Sequence, residues 1–406
     1  MKLLLGEALW SPGTGAILPA GGAAVALDEA GRALAWGEAE ELRRVYAEAE
    51  LLEGEGVLLP GLVDCHAHLE IAALGGRVEP GLGLAAWVGA LTAALPSVPQ
   101  AERERAALEA AKEMRALGTV AVADVCTNLS TAPILREAGL SGVSLLEVVG
   151  AGVEAGRAAL RRAEERRREF PAGGGVEVEI IPHSAYGTSE EVLRALAGGR
   201  AATPDQAAGE LAPYLPVASV ATPPHGAWEG PAPGVRSIHA AEHEDELHWL
   251  VEGEGAFAPF LRSKGAPSPG KRPIPYLHEL GALGHRTLLV HAVHATEEEL
   301  ALARAAGATL VLCPRSNLHI GGKLPDLPAI RRAGIPWVLG TDSLVSTPDH
   351  DLLGEVRVLA EAFPEVPLGE FLQAATTGGA AALGLEHHPW VRIPFDRFPG
   401  GREAFA

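Results

Sequence analysis

Short apolar runs alternate with longer amphipathic segments over most of the chain. Eight of these runs have the length of strands, and the first, residues 57–63, contains no alternating polar positions, which is typical of a parallel strand buried on both faces. They cover residues 57–63, 119–125, 143–148, 176–181, 235–238, 287–290, 309–312 and 335–339. The segments between them, such as 101–117 and 154–169, have the spacing of amphipathic helices. This order predicts an α/β fold, a parallel (β/α)8 TIM barrel, with its active site where the strands end.

The beginning of the chain follows a different pattern. Its apolar runs are short and are interrupted by Gly, Pro and Asp, which predicts the strands of a small sheet. These runs cover residues 3–5, 23–26 and 34–36. Residues 38–49 favour a helix. We therefore predict a small β satellite domain at 1–55, formed mainly by the N-terminus, and a barrel domain at 56–385, with 386–406 as a candidate addition to the satellite.

Composition narrows the classes of function. The 406 residues carry a net charge of −19, which disfavours nucleic acids and anionic membranes as partners. No run approaches the roughly 18 apolar residues that a membrane span needs, and the N-terminus lacks the pattern of a signal peptide. Three isolated cysteines, Cys65, Cys126 and Cys313, argue against a disulfide framework. We therefore expect a cytoplasmic protein.

Polar side chains collect where the strands are predicted to end. His66 and His68 follow the first strand, and because residues i and i+2 of an extended chain point to the same side, their imidazoles project together. A His-x-His pair alone is weak evidence, but four further strand ends also carry His or Asp. These positions hold His183, His239, His291 and Asp342. Since every buried polar group needs a partner, a shared cation explains this set better than packing does.

Six ordered motifs at these positions resemble those of the amidohydrolase superfamily. The nearest branch comprises the aminohydrolases and chlorohydrolases of purine and triazine rings, and the resemblance extends over about residues 55–385. The motifs are Pro60-Gly61-Leu62-Val63-Asp64-Cys65-His66-Ala67-His68, Pro182-His183-Ser184-Ala185-Tyr186, His239-Ala240-Ala241-Glu242, His291-Ala292-Val293-His294, Cys313-Pro314-Arg315-Ser316-Asn317 and Gly340-Thr341-Asp342-Ser343.

The resemblance implies one divalent metal ion, held by His66, His68, His239 and Asp342. Three imidazoles and one carboxylate leave a coordination position for water, as in catalytic zinc sites. Zinc is favoured, and iron or manganese also suit this ligand set. Relatives with two metals use a lysine at the end of the fourth strand, where this chain has His183. None of its five lysines is predicted to lie at a strand end.

Catalytic roles are implied for three residues. Glu242, three residues after His239, would shuttle a proton to a ring nitrogen of the substrate, although a solvated glutamate at a helix start is the alternative. His291 would orient the attacking water, with a core histidine as the alternative. Asp342 would accept a proton from that water in addition to binding the metal.

Four further residues are predicted to contact the substrate, each with a structural alternative. His183 resembles the histidine that touches the substrate in the family. Trp87 could stack on a heterocycle or simply pack within its helix, and Arg315 and Asn317 could contact a polar substituent or brace their loop. The insertion at 198–234, rich in Ala, Pro and Gly, could cover the pocket or act as a linker.

These features imply a hydrolytic deaminase of small heterocycles, with adenine-type nucleosides as the favoured substrates. Aminodeoxyfutalosine comes first among them, followed by S-adenosylhomocysteine or methylthioadenosine and then by guanine. Hydrolysis of a cyclic amide, of the imidazolonepropionase or hydantoin kind, is the alternative reaction. A degenerate, metal-free barrel that only binds ligands is the non-enzymatic alternative. A homodimer is one option for its assembly.

Metal analysis tests the ligand assignment. Active protein should contain one divalent ion per chain, because the four predicted ligands form a single set and the lysine that serves two-metal relatives is missing. Mass spectrometry of the dialysed protein measures this ratio. Two ions per active chain would contradict the assignment.

Overall fold

The strands of this protein divide between a parallel core and two smaller sheets. The computed structural model describes residues 1–13, 15–17, 21–170, 176–198, 236–385 and 389–405. Apart from Gly198, the predicted insertion lies outside the described residues. Within them the strands are β1 (Lys2–Gly6), β2 (Ala8–Ser11), β3 (Gly15–Ile17), β4 (Ala23–Leu27), β5 (Ala33–Glu38), β6 (Glu50–Leu52), β7 (Val57–Pro60), β8 (Leu62–Ala67), β9 (Thr119–Cys126), β10 (Ser141–Val148), β11 (Val176–Pro182), β12 (Ser237–Ala240), β13 (Leu288–His291), β14 (Thr309–Leu312), β15 (Trp337–Leu339) and β16 (Trp390–Ile393).

The helices connect successive strands of the core. In the described part of the chain they are α1 (Ala39–Val45), α2 (Leu84–Ala94), α3 (Gln100–Ala116), α4 (Ala132–Glu137), α5 (Val153–Glu169), α6 (Glu190–Leu196), α7 (Glu244–Leu247), α8 (Ala258–Ser263), α9 (Pro273–Glu279), α10 (Glu297–Ala306), α11 (Pro314–Gly321), α12 (Leu327–Ala333), α13 (Leu352–Ala362), α14 (Leu368–Gln373) and α15 (Gly379–Leu383). Short 3-10 turns lie at Leu69–Leu74, Leu95–Ser97 and Gly401–Phe405, and π turns at His248–Glu252 and Ala374–Gly378. None of these helices combines the length and hydrophobicity that crossing a bilayer requires.

Eight parallel strands form two sheets of four. One sheet has the order β11-β10-β9-β8 and the other β12-β13-β14-β15. Single parallel bridges, from Ser184 to His239 and from Ala67 to Asp342, join the edges of the two sheets. The prediction of a parallel α/β architecture is confirmed. Because the strands are parallel, the polar residues at their carboxyl ends gather on one side of the core.

The first predicted strand, residues 57–63, is in fact two strands with Gly61 between them. β7 belongs to a peripheral sheet, whereas β8 begins the core, where Leu62 N–H donates to Gly118 O at 3.0 Å. A Cβ on Gly61 would lie 2.5 Å from Val120 Cγ1 and 2.9 Å from Pro389 O. Glycine therefore permits the close passage at which the chain changes sheets.

The N-terminal strands form two further sheets. Their orders are β5-β4-β1-β6 and β16-β7-β2-β3, so the second sheet combines the two ends of the chain. β16 pairs antiparallel with β7. The Arg392 guanidinium on β16 donates to the carbonyl oxygens of Leu5, Leu52 and Glu53, which links it to the first sheet. The division at residues 55/56 stays a prediction.

The sequence has the spacing of a capping box at two predicted helix starts, Thr188-x-x-Glu191 and Thr296-x-x-Glu299, and the structure contains one of the two. Thr296 opens α10 with reciprocal hydrogen bonds to Glu299. The prediction for Thr188 and Glu191 is wrong, because both side chains have other partners. Thr188 Oγ1 donates to Val148 O at 3.1 Å, and Glu191 pairs with an arginine on α5.

A pair of glycine substitutions tests the packing of the core. Gly142 on β10 has φ +124°, and an added Cβ would overlap the carbonyl oxygen of Val122 on the neighbouring strand, whereas a Cβ on Gly139, at φ +72°, would meet no atom within 4 Å. Gly142→Ala should lower the free energy of unfolding by about 3 kcal/mol or more, and Gly139→Ala by about 1 kcal/mol from its backbone conformation alone. Denaturant unfolding measures both. Equal losses would contradict the packing of β10 against β9.

Candidate metal and catalytic site

Two imidazoles at the carboxyl end of β8 share one face. His66 is fully buried and His68 largely so, and their Nε2 atoms lie 3.2 Å apart. The backbone holds both residues against the end of β15, because Asp342 N–H donates to His66 O at 2.8 Å and His68 N–H donates to Asp342 O at 3.1 Å. The predicted pair therefore forms, and a third polar residue is attached to it through the backbone.

A third imidazole joins this pair from β12. His239 Nε2 lies 3.2 Å from His66 Nε2. Its other ring nitrogen, Nδ1, lies 2.8 Å from the carbonyl oxygen of His183, to which it donates. That hydrogen bond leaves Nε2 of the neutral ring unprotonated and facing the other imidazoles, the tautomer that binds a metal.

Asp342 completes the group. Its Oδ1 lies 3.6 Å from His68 Nε2 and 3.9 Å from His66 Nε2. Its Oδ2 accepts hydrogen bonds from Ser316 Oγ at 2.5 Å and from Ser346 Oγ at 3.4 Å. These serines orient the carboxylate so that Oδ1 faces the imidazoles. Asp342 has φ +62°, a strained conformation for a residue with a Cβ, and such strain is concentrated at functional sites.

The charge state of the histidines suits a cation. Burial, followed by the neighbouring imidazoles, lowers the pKa of His66 and of His239 well below the usual value of 6.5. Both rings are therefore neutral near pH 7, as metal binding requires. His66, His68 and His239 have ligand atoms close enough to hold one ion together. Three converging nitrogen lone pairs beside a carboxylate oxygen fit a divalent metal.

Asp64 stabilises the backbone that carries the candidate metal ligands. Its carboxylate accepts hydrogen bonds from His66 N–H at 3.2 Å, from Thr341 N–H at 3.1 Å and from Thr341 Oγ1 at 2.6 Å. It thus joins the strand that carries His66 to the segment that carries Asp342. Burial raises the pKa of Asp64 to about 7, although its hydrogen bonds to Thr341 and to His66 N–H oppose this.

Glu242 and His291 form a second pair beside the histidines. Glu242 Oε1 lies 3.6 Å from His291 Nε2, and both side chains are buried. Burial, and then the charges of Asp342 and Glu246, raise the pKa of Glu242 well above its usual 4.5. A raised pKa favours the protonated carboxyl, the form that can donate a proton as a general acid.

Asn317 and Glu246 hold this pair in place. Asn317 on α11 lies with its amide nitrogen 3.0 Å from His291 Nδ1, so it contacts a predicted catalytic residue. Glu246 Oε2 accepts the backbone N–H of Glu242 at 3.0 Å. The geometry favours a bracing role for Asn317, one of the two predicted alternatives.

His183 reaches the same side of the core from the end of β11. Its Nδ1 lies 2.7 Å from Glu147 Oε2, and its ring centroid lies 4.8 Å from that of His239. Burial opposes ionisation of Glu147, yet the adjacent imidazole lowers its pKa to about 2. The pKa of His183 is raised by Glu147 in spite of its own burial. His183 is therefore next to the metal ligands but is tied to a carboxylate.

The two remaining predicted substrate contacts differ from each other. The Arg315 guanidinium donates to Glu355 at 2.6 Å, to Asp349 Oδ1 at 2.7 Å and to the carbonyl oxygens of Asp349 and Asp351. These bonds favour its alternative role as a brace. Trp87 on α2 is 8% exposed, and its indole N–H has no hydrogen-bond partner among the described residues. A contact between Trp87 and the substrate stays a prediction.

Sequence reasoning missed Glu147 and Ser316. Glu147 is the last residue but one of β10, and a single carboxylate in an otherwise apolar strand end is the same signal that identified the histidines. Ser316 lies inside a motif that was recognised, but a serine in a helix carries no signal of its own. Its role follows only from its distance to Asp342.

Comparison with protein families identifies the chain. It matches the Amidohydrolase family over residues 57–202 and 236–388, and it belongs to that family. The family resemblance of the sequence motifs is thereby confirmed.

Individual relatives share most of the chain. An aminodeoxyfutalosine deaminase of Deinococcus radiodurans is 30% identical over 370 residues, which cover 86% of this chain and 78% of the relative. A 5-methylthioadenosine/S-adenosylhomocysteine deaminase of Halobacterium salinarum is 29% identical over 83% of this chain and 71% of its own length.

Solved structures show the same fold. The crystal structure of Helicobacter pylori aminofutalosine deaminase with methylthio-coformycin is 20% identical, covers 100% of this chain and 95% of its own, and has a TM-score of 0.77. An atrazine chlorohydrolase from Arthrobacter aurescens, complexed with zinc, is 21% identical, covers 95% and 83%, and has a TM-score of 0.69.

Two serines that contact the same oxygen provide a matched test of the site. Ser316→Ala should lower metal affinity by about 10- to 100-fold, because it removes the shorter bond that orients the Asp342 carboxylate. Ser346→Ala removes the 3.4 Å contact and should have a clearly smaller effect. Competition with a chelator measures both affinities. Equal effects, or none, would show that Asp342 does not depend on this orientation for metal binding.

Proposed function

We propose that this chain is a deaminase that uses one divalent metal ion to hydrolyse the exocyclic amino group of an adenine-type nucleoside. Family membership supports the general class, a hydrolase of carbon–nitrogen bonds. The observation that carries the proposal is the convergence of three Nε2 atoms and Asp342 Oδ1 beside the Glu242–His291 pair.

The proposal includes a complete (β/α)8 barrel. The two parallel sheets of four strands are joined at both edges by single bridges. This is the pattern expected of a closed barrel in which the hydrogen bonding between strands is reduced at two places. The same edges bear the metal ligands, since Asp342 and His239 are themselves bridge residues. In this proposal, the reduced pairing at these two places leaves room for the substrate at the carboxyl ends of the strands.

His66, His68, His239 and Asp342 would hold the ion, which we take to be zinc. When bound, such an ion supplies Lewis-acid activation of water near neutral pH. A second cation is disfavoured by the geometry of the other group of candidate ligands, Glu147, His183 and His239. Within it, the carboxylate and His183 Nδ1 are in direct contact at 2.7 Å, and His239 already belongs to the first group.

Side chains of the protein carry out the proton transfers. Glu242 donates from its carboxyl to a ring nitrogen of the substrate, and its raised pKa keeps that proton available. His291 lies within reach of the same carboxyl and orients the attacking water. Of the two protons of this water, one returns to the Glu242 carboxylate, and Asp342 Oδ1 accepts the other and passes it to the amino group. The carbon–nitrogen bond breaks, a carbon–oxygen bond replaces it, and the amino group leaves as ammonia.

The preference among substrates rests on the relatives. Aminodeoxyfutalosine is favoured because an enzyme named for it aligns over most of both chains. Methylthioadenosine and S-adenosylhomocysteine come next on the same grounds, and guanine follows. His183, adjacent to the ligands, and Trp87, with its unsatisfied indole N–H, are the side chains that we assign to substrate contact. Hydrolysis of a cyclic amide is the alternative reaction that the same ligands permit.

Removing the proton donor tests the proposal. The metal-loaded protein should release ammonia from adenine-type nucleosides, and Glu242→Gln should lower kcat by about 10²- to 10⁴-fold, since the amide cannot shuttle a proton. Glu244→Gln, two residues away and exposed, is the control and should retain the wild-type rate. Metal content should stay the same in both variants.

Two outcomes would overturn the proposal. Turnover of cyclic amides without turnover of any purine nucleoside would replace the deaminase with the alternative reaction. Binding of nucleosides without ammonia release by the fully metal-loaded protein would favour the non-enzymatic alternative.

A further inference from the structure

Beyond the catalytic residues, five side chains lie around the carboxyl ends of the core strands. They form what we call the rim cluster, which consists of Leu82, His243, His294, Leu318 and Lys323. Three of them follow site residues closely in sequence: His243 follows Glu242, Leu318 follows Asn317, and His294 lies three residues after His291. These three members of the rim cluster are therefore close in sequence to the proposed catalytic residues.

Hydrogen bonds and ring contacts hold the rim cluster together. The His243 and His294 rings meet edge to face, with centroids 6.3 Å apart. The loop that carries Leu82 is bound to the last turn of α11, since Gly81 N–H donates to His319 O at 2.7 Å and Gly83 N–H donates to Ile320 O at 3.2 Å. Leu82 is 45% exposed and Leu318 is 41% exposed. Two large apolar side chains are thus available to a ligand at this edge.

Lys323 provides the cluster with a cation that has no carboxylate partner among the described residues. Its Nζ lies 3.4 Å from His294 Nδ1, and among the described residues no carboxylate oxygen lies within 4.0 Å of it. Lys2, Lys112 and Lys271 each pair with a glutamate. The fold brings Lys323, which follows α11, next to the residues after β13, and the expectation that no lysine lies at a strand end stays a prediction.

The described neighbours of Lys323 do not neutralise its positive charge. Burial, and then the charge of Lys323, lower the pKa of His294 to about 4, so its ring is neutral near pH 7 and Nδ1 accepts a hydrogen bond from the lysine. The nearby Asp245 carboxylate is already bound to Ala85 N–H at 3.0 Å and lies 3.3 Å from His243 Nδ1. Glu244 is the remaining acidic neighbour, and it is exposed.

We propose that the rim cluster is the subsite for the 5′ substituent of the nucleoside, and that it selects a substituent with an apolar body and a terminal carboxylate. This inference rests on the proposed function. Leu82 and Leu318 would pack against the apolar body, and Lys323 would donate charge-assisted hydrogen bonds to the carboxylate. In a chain with a net charge of −19, an unpaired lysine at this edge also offsets the repulsion of an anionic substrate. Lys323 is thus the residue that determines specificity.

The test compares nucleosides that share adenine and ribose but differ at the 5′ position. Aminodeoxyfutalosine ends in a carboxylate, and methylthioadenosine ends in a neutral methylthio group. The measured quantity is the ratio of kcat/KM for the first to kcat/KM for the second. Lys323→Met keeps the apolar stem and should lower this ratio by about tenfold, mainly through KM, as expected for one lost charge-assisted contact.

Three further measurements sharpen the result. Lys323→Arg should restore most of the ratio, because it restores the charge. Lys112→Met, at an exposed lysine paired with Glu137, is the matched control and should leave the ratio unchanged. Added salt should lower kcat/KM for the carboxylate substrate in the wild type more than in Lys323→Met, since screening weakens an exposed charge interaction.

The outcomes separate this inference from the function on which it rests. If both nucleosides are deaminated and the ratio is the same in Lys323→Met and in the wild type, the subsite assignment is overturned and the deaminase stands. If a wild-type preference for the neutral nucleoside is found, the assignment is also overturned. If neither nucleoside releases ammonia, the proposed function fails and the subsite fails with it.

Discussion

The bridge between the ends of β8 and β15 is the interaction on which the site depends. Two backbone hydrogen bonds, from Asp342 N–H to His66 O and from His68 N–H to Asp342 O, join the first and last strands of the core. The same three residues supply three of the four proposed metal ligands. The carboxylate of Asp64 reinforces this connection from within the core. This pairing thus joins the two sheets at one edge and sets the geometry of three of the four ligands.

This arrangement requires unfavourable local features that the rest of the fold must offset. Ala241, His291, Ala292 and Asp342 all have positive φ, which costs about 1–2 kcal/mol for each residue with a Cβ. Carboxylates are also buried nearby, and burial raises the pKa of Glu246 to about 8. Positive φ occurs at the strand ends that carry His291 and Asp342, and burial raises the pKa of Glu242. The unfavourable features are therefore part of the proposed chemistry.

The site and the rim differ in their polar groups and in exposure. The interior of the site contains the buried carboxyl groups of Asp342, Glu242 and Glu246, whereas Lys323 lies at its edge. The interior side chains are held by hydrogen bonds to backbone atoms or to serine and asparagine. The side chains of the rim are more exposed, so substitutions there should cost little folding stability.

Local pattern and short motifs were enough to predict the parallel α/β architecture and the family, because buried strands, His-x-His spacing and strand-end carboxylates are each encoded within a few residues. Tertiary structure alone decided which strand ends meet and which side chains already have hydrogen-bond partners. Arg315 belongs to a recognised motif, yet its donors are used by Glu355 and Asp349, which lie more than thirty positions along the chain. Thr188 has the spacing of a capping box but bonds to β10 instead. Glu147 and Lys323 acquire their neighbours only when separate strands come together. The physical reason is that a hydrogen-bonding group takes the partner that is nearest in space, and sequence spacing determines that partner only within one element.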